Sequence, residues 1–260
     1  MNTTTAHKLN DLNASFYQQV ADSFGATRSH GWHGWSRLAQ ALDLSRREQL
    51  HALDIACGNL RFARFLDENT PQDCNVHITG LDNCLTLAQT PQGLSHTTVD
   101  FEERDIVTSL LDHKNPLNLG SETFDLAVSF GFMHHIPGAD NRAEFLRDAI
   151  KALNPAGICC VTLWQPLNDP RIAKKAERVI SAAADHTALR EIDLDQLEDG
   201  DLFLGWQDNP NALRYCHHFS AEESQQLVDS VHDIATLVCT FEADGKTENL
   251  NRYIVLRSIR

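Results

Sequence analysis

Leu53-Asp54-Ile55-Ala56-Cys57-Gly58-Asn59-Leu60-Arg61-Phe62 reads as a buried strand that runs through a tight turn into a helix. A glycine in such a turn lets a ligand approach the backbone, and free amides at the helix start hold an anionic group such as a carboxylate. The phosphate-cradling patterns G-x-G-x-x-G and G-x-x-x-x-G-K-[ST] are both absent, which disfavours dinucleotides and nucleoside triphosphates. Outward from this turn, apolar runs at Ala52 to Ala56, Val76 to Leu81, Phe124 to Phe130 and Ile158 to Trp164 alternate with amphipathic stretches at Leu60 to Asn69 and Arg142 to Leu153. Short, continuously apolar runs belong to strands covered on both faces. Their β-α-β-α order implies an α/β fold, a doubly wound and mostly parallel sheet whose ligand lies at the carboxyl ends of the strands. Asn154-Pro155-Ala156-Gly157 predicts a stop between the second of these helices and the next strand.

Composition narrows the function classes. The chain has 260 residues, 42% of them apolar and 22% charged, so it can bury a sizeable core. A net charge of −14 argues against unassisted attraction to a phosphate backbone. No apolar run approaches the roughly 20 residues of a membrane helix, and MNTTTAHKLN lacks a secretory core, so a cytoplasmic protein without a membrane partner is expected. Seven cysteines without C-x-x-C spacing fit reduced, mostly buried thiols, and the absence of H-E-x-x-H leaves no metal site expected.

Three acids stand where a nucleoside-bearing cofactor would be held. Asp54 ends the first run, and Asp82 follows the run Ile78 to Leu81, where an acid bonds both ribose hydroxyls. Asp105 follows Asp100-Phe101-Glu102-Glu103-Arg104 and is placed to accept a bond from an adenine amino group. The plain alternatives are capping or turn acids, and for Asp105 a solvated face. Cys57 reads as a buried structural thiol.

Residues 50 to 165 resemble the cofactor half of a class I S-adenosylmethionine-dependent methyltransferase, with its Rossmann-like sheet. The resemblance implies S-adenosylmethionine as cofactor. Asp54, Ala56 and Gly58 would form the first motif, Asp82 and Asn83 the ribose site, Asp105 and Ile106 the adenine loop, and Phe124-Asp125-Leu126-Ala127-Val128-Ser129 the fourth motif, with Ser129 at the cofactor. Ala56 and Leu60 stand where that family usually has glycine. His134, in Phe132-Met133-His134-His135-Ile136-Pro137, is the candidate base, and loop orientation by a hydrogen-bonded histidine is the alternative.

Beyond that half, Tyr17, Val20 to Arg28 and Trp32, together with Leu163-Trp164, Gly200 to Trp206 and Arg214 to Phe219, resemble the methyltransferases that esterify carboxymethyluridine at the tRNA wobble position. That group includes the domain fused to an AlkB-type hydroxylase. Their patterns F-x-x-T-R-x-x-x-W, G-D-x-x-x-P-W and R-Y-Y-H return here with Gly205 for the proline and Cys216 for the second tyrosine, and Asn251-Arg252 stands in place of a terminal Asn-Trp. By this resemblance Arg28 and Trp32 enclose the cofactor, while Trp164, Arg214, Tyr215 and His217 meet the substrate. The alternative for Trp32 and Trp164 is packing, and for Arg214 an ion pair with the acidic 191 to 201 stretch.

The implied organisation is a single domain: residues 1 to 49 cover the site, 50 to 165 bind the cofactor, 166 to 219 form an inserted cap and 220 to 260 add a helix and an antiparallel hairpin. The expected function is methylation of a modified wobble uridine in tRNA, with an activating partner subunit. A small acid or metabolite as acceptor is the alternative, favoured by the charge, and a catalytically silent cofactor-binding partner is the third, suggested by Ala56 and Leu60. Arg171, Lys174, Lys175 and Arg178 share one face if residues 171 to 180 are helical, a candidate patch for tRNA.

Overall fold

Successive residues of the central strands point to opposite faces of the sheet, and both faces are apolar. The computed structural model describes residues 1 to 260 except Arg28, Ser29, Thr90, Asp208 and Arg260. In chain order the elements are α1 (Thr3–Ala26), α2 (His33–Leu42), β1 (Gln49–Ile55), α3 (Arg61–Asn69), β2 (Asn75–Asp82), β3 (Thr97–Glu103), α4 (Ile106–Leu111), β4 (Phe124–Ser129), α5 (Ala139–Lys151), β5 (Leu153–Trp164), α6 (Pro170–Ser181), β6 (Asp201–Trp206), β7 (Asn209–His217), α7 (Ala221–Asp229), β8 (Ala235–Ala243) and β9 (Asn251–Ser258). Seven strands form one sheet in the order β3-β2-β1-β4-β5-β9-β8. The first five are parallel, and β9 alone runs against its neighbours β5 and β8.

Leu53, Ile55, Ala127, Cys159, Val161, Ile254 and Leu256 pack on α4, α5 and α7. Leu50, Ala52, Leu126, Val128, Ile158, Cys160, Tyr253 and Val255 pack on α2 and α3 on the other face. This two-sided burial is why the runs showed no polar alternation. All seven cysteines are free, and six of them are buried. No described helix is long and apolar enough to cross a membrane.

Two local expectations change. The stretch 154–157 does not separate a helix from a strand. It lies inside β5, where Ala156 takes φ 63° and the pairing with β4 shifts register between Phe124 and Leu126. The run Asp100 to Asp105, for which a solvated face was the alternative, begins inside an edge strand that was not expected, β3, whose burial alternates because only one side meets the core.

The inserted segment folds as α6, four 3₁₀ turns and the hairpin β6–β7, a separate two-stranded sheet. Its apolar residues are shared with α1: Leu9 joins Leu189, Ile192, Phe203, Leu213 and Tyr215, while Phe16 and Val20 meet Ala212. The long first helix thereby holds the hairpin over the carboxyl ends of the strands.

Candidate functional site

A cavity of about 470 Å³ opens at those strand ends, bounded by α1, the turn before α2, the cap hairpin and the β8–β9 loop. Asp54, Ala56, Gly58, Asp82, Asn83, Asp105 and Ile106 line one part of it, and Trp32, His134, Trp164 and Arg214 line the rest. Residues far apart in sequence thus converge on one space.

The turn after β1 alternates through left-handed backbone: Ala56, Gly58 and Leu60 have φ of 58°, 52° and 56°. The two residues that replace glycine keep glycine's conformation, which costs an L-residue about 1–2 kcal/mol at each position. At Gly58 a Cβ would meet nothing within 4 Å, so the loop presents bare backbone to the cavity. Asp82 fixes the turn from the neighbouring strand: its Oδ2 accepts from the Gly58 N–H and its Oδ1 from the Cys84 N–H, both at 2.8 Å. Each oxygen keeps a second lone pair for a ligand hydroxyl.

Burial raises the Asp82 carboxyl above its ordinary value despite these bonds. Asp54, 3% exposed, is pushed up to about 7 by burial first and by the nearby Asp82 charge second, with Arg61 pulling the other way. Two acids sharing a dry strand end are poised for a cationic ligand. Asp105 lines the cavity while serving as the N-cap of α4, accepting from the Thr108 N–H at 2.9 Å and its hydroxyl at 2.8 Å. Trp32 stacks on Trp35 at 6.0 Å beneath the Arg61 guanidinium, and the bare Gly131 gives its ring room, since a Cβ there would lie 3.1 Å from Cη2.

His134 faces Trp164 with ring centroids 4.7 Å apart. Its neighbour His135 is the hydrogen-bonded histidine that orients the loop. Its Nδ1–H donates to the Tyr215 carbonyl at 2.9 Å and its Nε2 accepts from the Tyr17 hydroxyl at 2.8 Å. Burial and the Arg214 charge pull its pKa down to about 3, so the ring is neutral.

Three expected positions lie elsewhere. Ser129 is fully buried, its hydroxyl spent on the Ile55 carbonyl at 3.1 Å, where it ties β4 to β1 rather than facing a ligand. Tyr215 and His217 lie outside the cavity, because the alternation of a strand that turns Arg214 inward turns the residues one and three positions on to the opposite face. The Tyr215 hydroxyl donates to Asp201 at 2.7 Å, and His217 is clamped between Asp201 and Glu223 at 2.7 Å each. Arg142 completes this network by donating to Glu198 at 2.7 Å and Glu223 at 2.9 Å. Glu198, Asp201 and His217 have metal-ligand atoms within 4.8 Å of one another, and so do His134, His135 and Cys216. In the first group the atoms are already committed to Arg142 and Tyr215, and in the second both nitrogens of His135 are. The remaining expected residue, Arg28, falls outside the described residues.

The sequence reading missed Asn10, Asn13, Arg61 and Asp244, all of which line the cavity. Asn10 and Asn13 were detectable as polar residues on the apolar stripe of α1 that carries Ala6, Leu9, Phe16 and Val20. Asp244 had no such signal, since it acts by bonding Gly34, Asn251 and Tyr253 from a loop.

Residues 53–159 match the family model described as "Methyltransferase domain". This stretch reads as a methyltransferase domain. Over 148 residues, 57% of the chain, this methyltransferase is 26% identical to the tRNA (carboxymethyluridine(34)-5-O)-methyltransferase of Saccharomyces cerevisiae and to the probable tRNA methyltransferase 9B of Homo sapiens. The match spans 46% of the yeast protein and 28% of the human one, so the chain aligns with less than half of either relative. Its fold is similar to that of an S-adenosylmethionine-dependent methyltransferase from Methanosarcina mazei, with TM-score 0.57, 16% identity and coverage of 82% of this chain and 94% of the other. It is also similar to an amino pentose methyltransferase from Micromonospora echinaspora, with TM-score 0.54, 15% identity and coverage of 92% and 96%.

The cavity suits S-adenosylmethionine. Asp82 offers two acceptors for a ribose, Ile106 an apolar wall, the Gly58 backbone a close approach, and the desolvated Asp54 a partner for positive charge.

Proposed function

We propose that this methyltransferase acts in the cytoplasm on tRNA, transferring a methyl group to the carboxymethyl group of a modified wobble uridine. The observation that carries this reading is that two residues of the wobble-uridine resemblance, Trp164 at the end of β5 and Arg214 on the cap hairpin, share one cavity with the strand-end acids. The 26% identity to the yeast enzyme supports it.

S-adenosylmethionine supplies a methyl group already activated on a sulfonium. Asp82 holds the ribose through both carboxylate oxygens, Trp32 covers the turn, and the hairpin with α1 excludes water from the acceptor side. A carboxylate acceptor is ionised at neutral pH, so alignment alone carries the reaction and His134 need not take a proton. Trp164 and Phe132, both lining the cavity, fit this role of positioning. An activating partner subunit belongs to the same reading, because residues 185 to 248 carry fifteen acids against three bases and repel a phosphate backbone.

That acidity favours a second reading, in which the acceptor is a small acid. Labelled cofactor offered in parallel to bulk tRNA and to a small-molecule extract decides between them. Label in a wobble carboxymethyl ester supports the first reading, and label confined to a small acid replaces it with the second.

A further inference from the structure

Asn10 is 6% exposed and sits among the buried residues of α1, at the border of the cavity. A buried amide needs a partner. Its Nδ2–H donates to the Thr108 hydroxyl oxygen at 2.9 Å, and the Thr108 hydroxyl in turn donates to the Asp105 Oδ2 at 2.8 Å. Residues from α1 and from the start of α4 thus form one chain of bonds that runs in a single direction. Asp105 also accepts from the Thr108 N–H through Oδ1 at 2.9 Å, which is all that an N-cap requires. The bond at Oδ2, and the amide behind it, exceed that requirement.

The direction of the chain is set at Asn10. A threonine hydroxyl has one proton, and within a helix it commonly turns to the carbonyl three or four residues back. With an amide N–H aimed at its oxygen, the Thr108 hydroxyl keeps that proton for Asp105. Both carboxylate oxygens are then held from the helix side, and each retains a lone pair for a ligand in the cavity that Asp105 lines. Without the second bond the carboxyl plane turns about a broad torsion. A carboxylate accepts and never donates, so what it selects is an N–H.

We propose that Asn10 is a positioning residue for the base of the cofactor, fixing Asp105 through Thr108 so that it takes the exocyclic amino group of an adenine. This rests on S-adenosylmethionine as the cofactor and on Asp105 as its adenine acid, and it adds a residue of the covering helix to that site. Asn10 is in place only when α1 is seated over the strand ends. The same helix carries Asn13, whose Oδ1 accepts from the Tyr215 N–H of the cap hairpin at 2.8 Å. The element that fixes the base is therefore the element that holds the cap.

The test is calorimetric binding, on the full chain, of S-adenosylhomocysteine and of its analogue with purine in place of adenine, which lacks only the 6-amino group. The wild type is expected to prefer the adenine form by about tenfold or more, the scale of a hydrogen bond to a charged group. Asn10→Asp keeps the shape of the side chain but offers acceptors alone, so it draws the Thr108 proton away from Asp105. It is expected to cut the preference by at least about threefold. Thr108→Val, which removes the hydroxyl, should do the same, and the double variant should be no worse than either single one. Thr108→Ser, which keeps the hydroxyl, should retain the wild-type ratio. Equal binding of the two ligands by the wild type overturns the proposal and the adenine role of Asp105 with it. A preference that survives Thr108→Val overturns the proposal and spares that role. Equal weakening of both ligands by Asn10→Asp, with the ratio intact, makes Asn10 a structural residue and also overturns it. Where Asn10→Asp does not fold, Thr108→Val set against Thr108→Ser decides alone. A wild type that does not bind S-adenosylhomocysteine removes the methyl-transfer reading together with the proposal.

Discussion

Leu60 fills the space that Gly80 leaves open: a Cβ on Gly80 would lie 2.6 Å from the Leu60 Cδ2 and 3.1 Å from the Cys57 Sγ. Leu60 is fully buried, so it has nowhere to retreat. Gly80→Ala is expected to cost about 1–3 kcal/mol through overpacking. In Leu60→Ala the same substitution should cost far less, and the pair should couple in a double-mutant cycle. Additive losses, measured by urea denaturation, would show that the two side chains do not compete for one volume.

The same turn stores backbone strain at Ala56. Ala56→Gly should stabilise the chain by roughly 0.5–1 kcal/mol, the relief of a left-handed alanine less the added freedom of glycine when unfolded. Affinity for S-adenosylhomocysteine should stay within about twofold, since the backbone already has the geometry glycine would give. A destabilised Ala56→Gly in the same denaturation assay contradicts the strained turn.

Asp54 sets a proton linkage. Its folded pKa of about 7 lies above its ordinary 3.8, so the native state holds a proton that the unfolded state loses first. The apo protein is therefore expected to lose stability as pH rises from about 4 to 7. A cationic cofactor beside this carboxyl pulls its pKa back down and expels the proton. Near pH 7, binding heats measured in buffers of different ionisation enthalpy should reveal proton release, and Asp54→Asn should abolish it. Heats that are independent of buffer in the wild type rule out the linkage.

The parallel sheet and its ligand side were legible because both faces of each strand are buried, which writes unbroken apolar runs into β1, β2, β4 and β5. β3 was not, since an edge strand with one wet face resembles any polar stretch. Asp82 could be found from its place after an apolar run. By contrast, the fate of Arg214, Tyr215 and His217 depended on which face of β7 each occupies, and a run of Arg-Tyr-Cys-His carries no apolar alternation that says so. Ser129 ended a correctly placed strand, but the partner of its hydroxyl, the Ile55 carbonyl, is decided by sheet pairing alone.

His217 fastens the cap to the core, and the fastening depends on pH. Burial alone would lower its pKa, but the bonds from Asp201 and Glu223 prevail and raise it above the ordinary 6.5, against the adverse charge of Arg142. A raised histidine contributes stability that is fully present below about 6.5 and is lost as pH rises through the folded value. Glu223 is lowered from 4.5: burial opposes this, but the His217 and Arg142 bonds outweigh it, so its share is lost as pH falls through its folded value. Thermal melts are expected to fall on the alkaline side, and His217→Gln should remove that slope while lowering stability at neutral pH. An alkaline slope unchanged in His217→Gln would exclude this histidine as its source.

An acidic protein that binds tRNA needs a local basic patch. Residues 170–181 are helical as α6, and Arg171, Lys174, Lys175 and Arg178 all project from its exposed face. Arg171 is engaged by Asp169, which it meets through Nε at 3.0 Å and through Nη2 at 2.5 Å. That leaves Lys174 and Lys175 as the freer charges of the patch. On its inner side Ile172 and Ala176 rest with Trp164, a wall of the methyl-transfer cavity, so a phosphate backbone lying on α6 would run beside the site. The plain alternative is a solvated helix face that binds nothing. Each phosphate neutralised contributes a slope of about −0.9 in log affinity against log salt. Lys174→Glu with Lys175→Glu should therefore weaken tRNA binding by the chain and flatten its salt dependence by up to about 2. S-adenosylhomocysteine affinity should be unchanged. Titrations by fluorescence anisotropy over a range of salt concentrations read both quantities. If the double variant binds tRNA with the wild-type slope and methylates its substrate at the wild-type rate at every salt concentration, α6 is an ordinary solvated face and the small-acid reading gains.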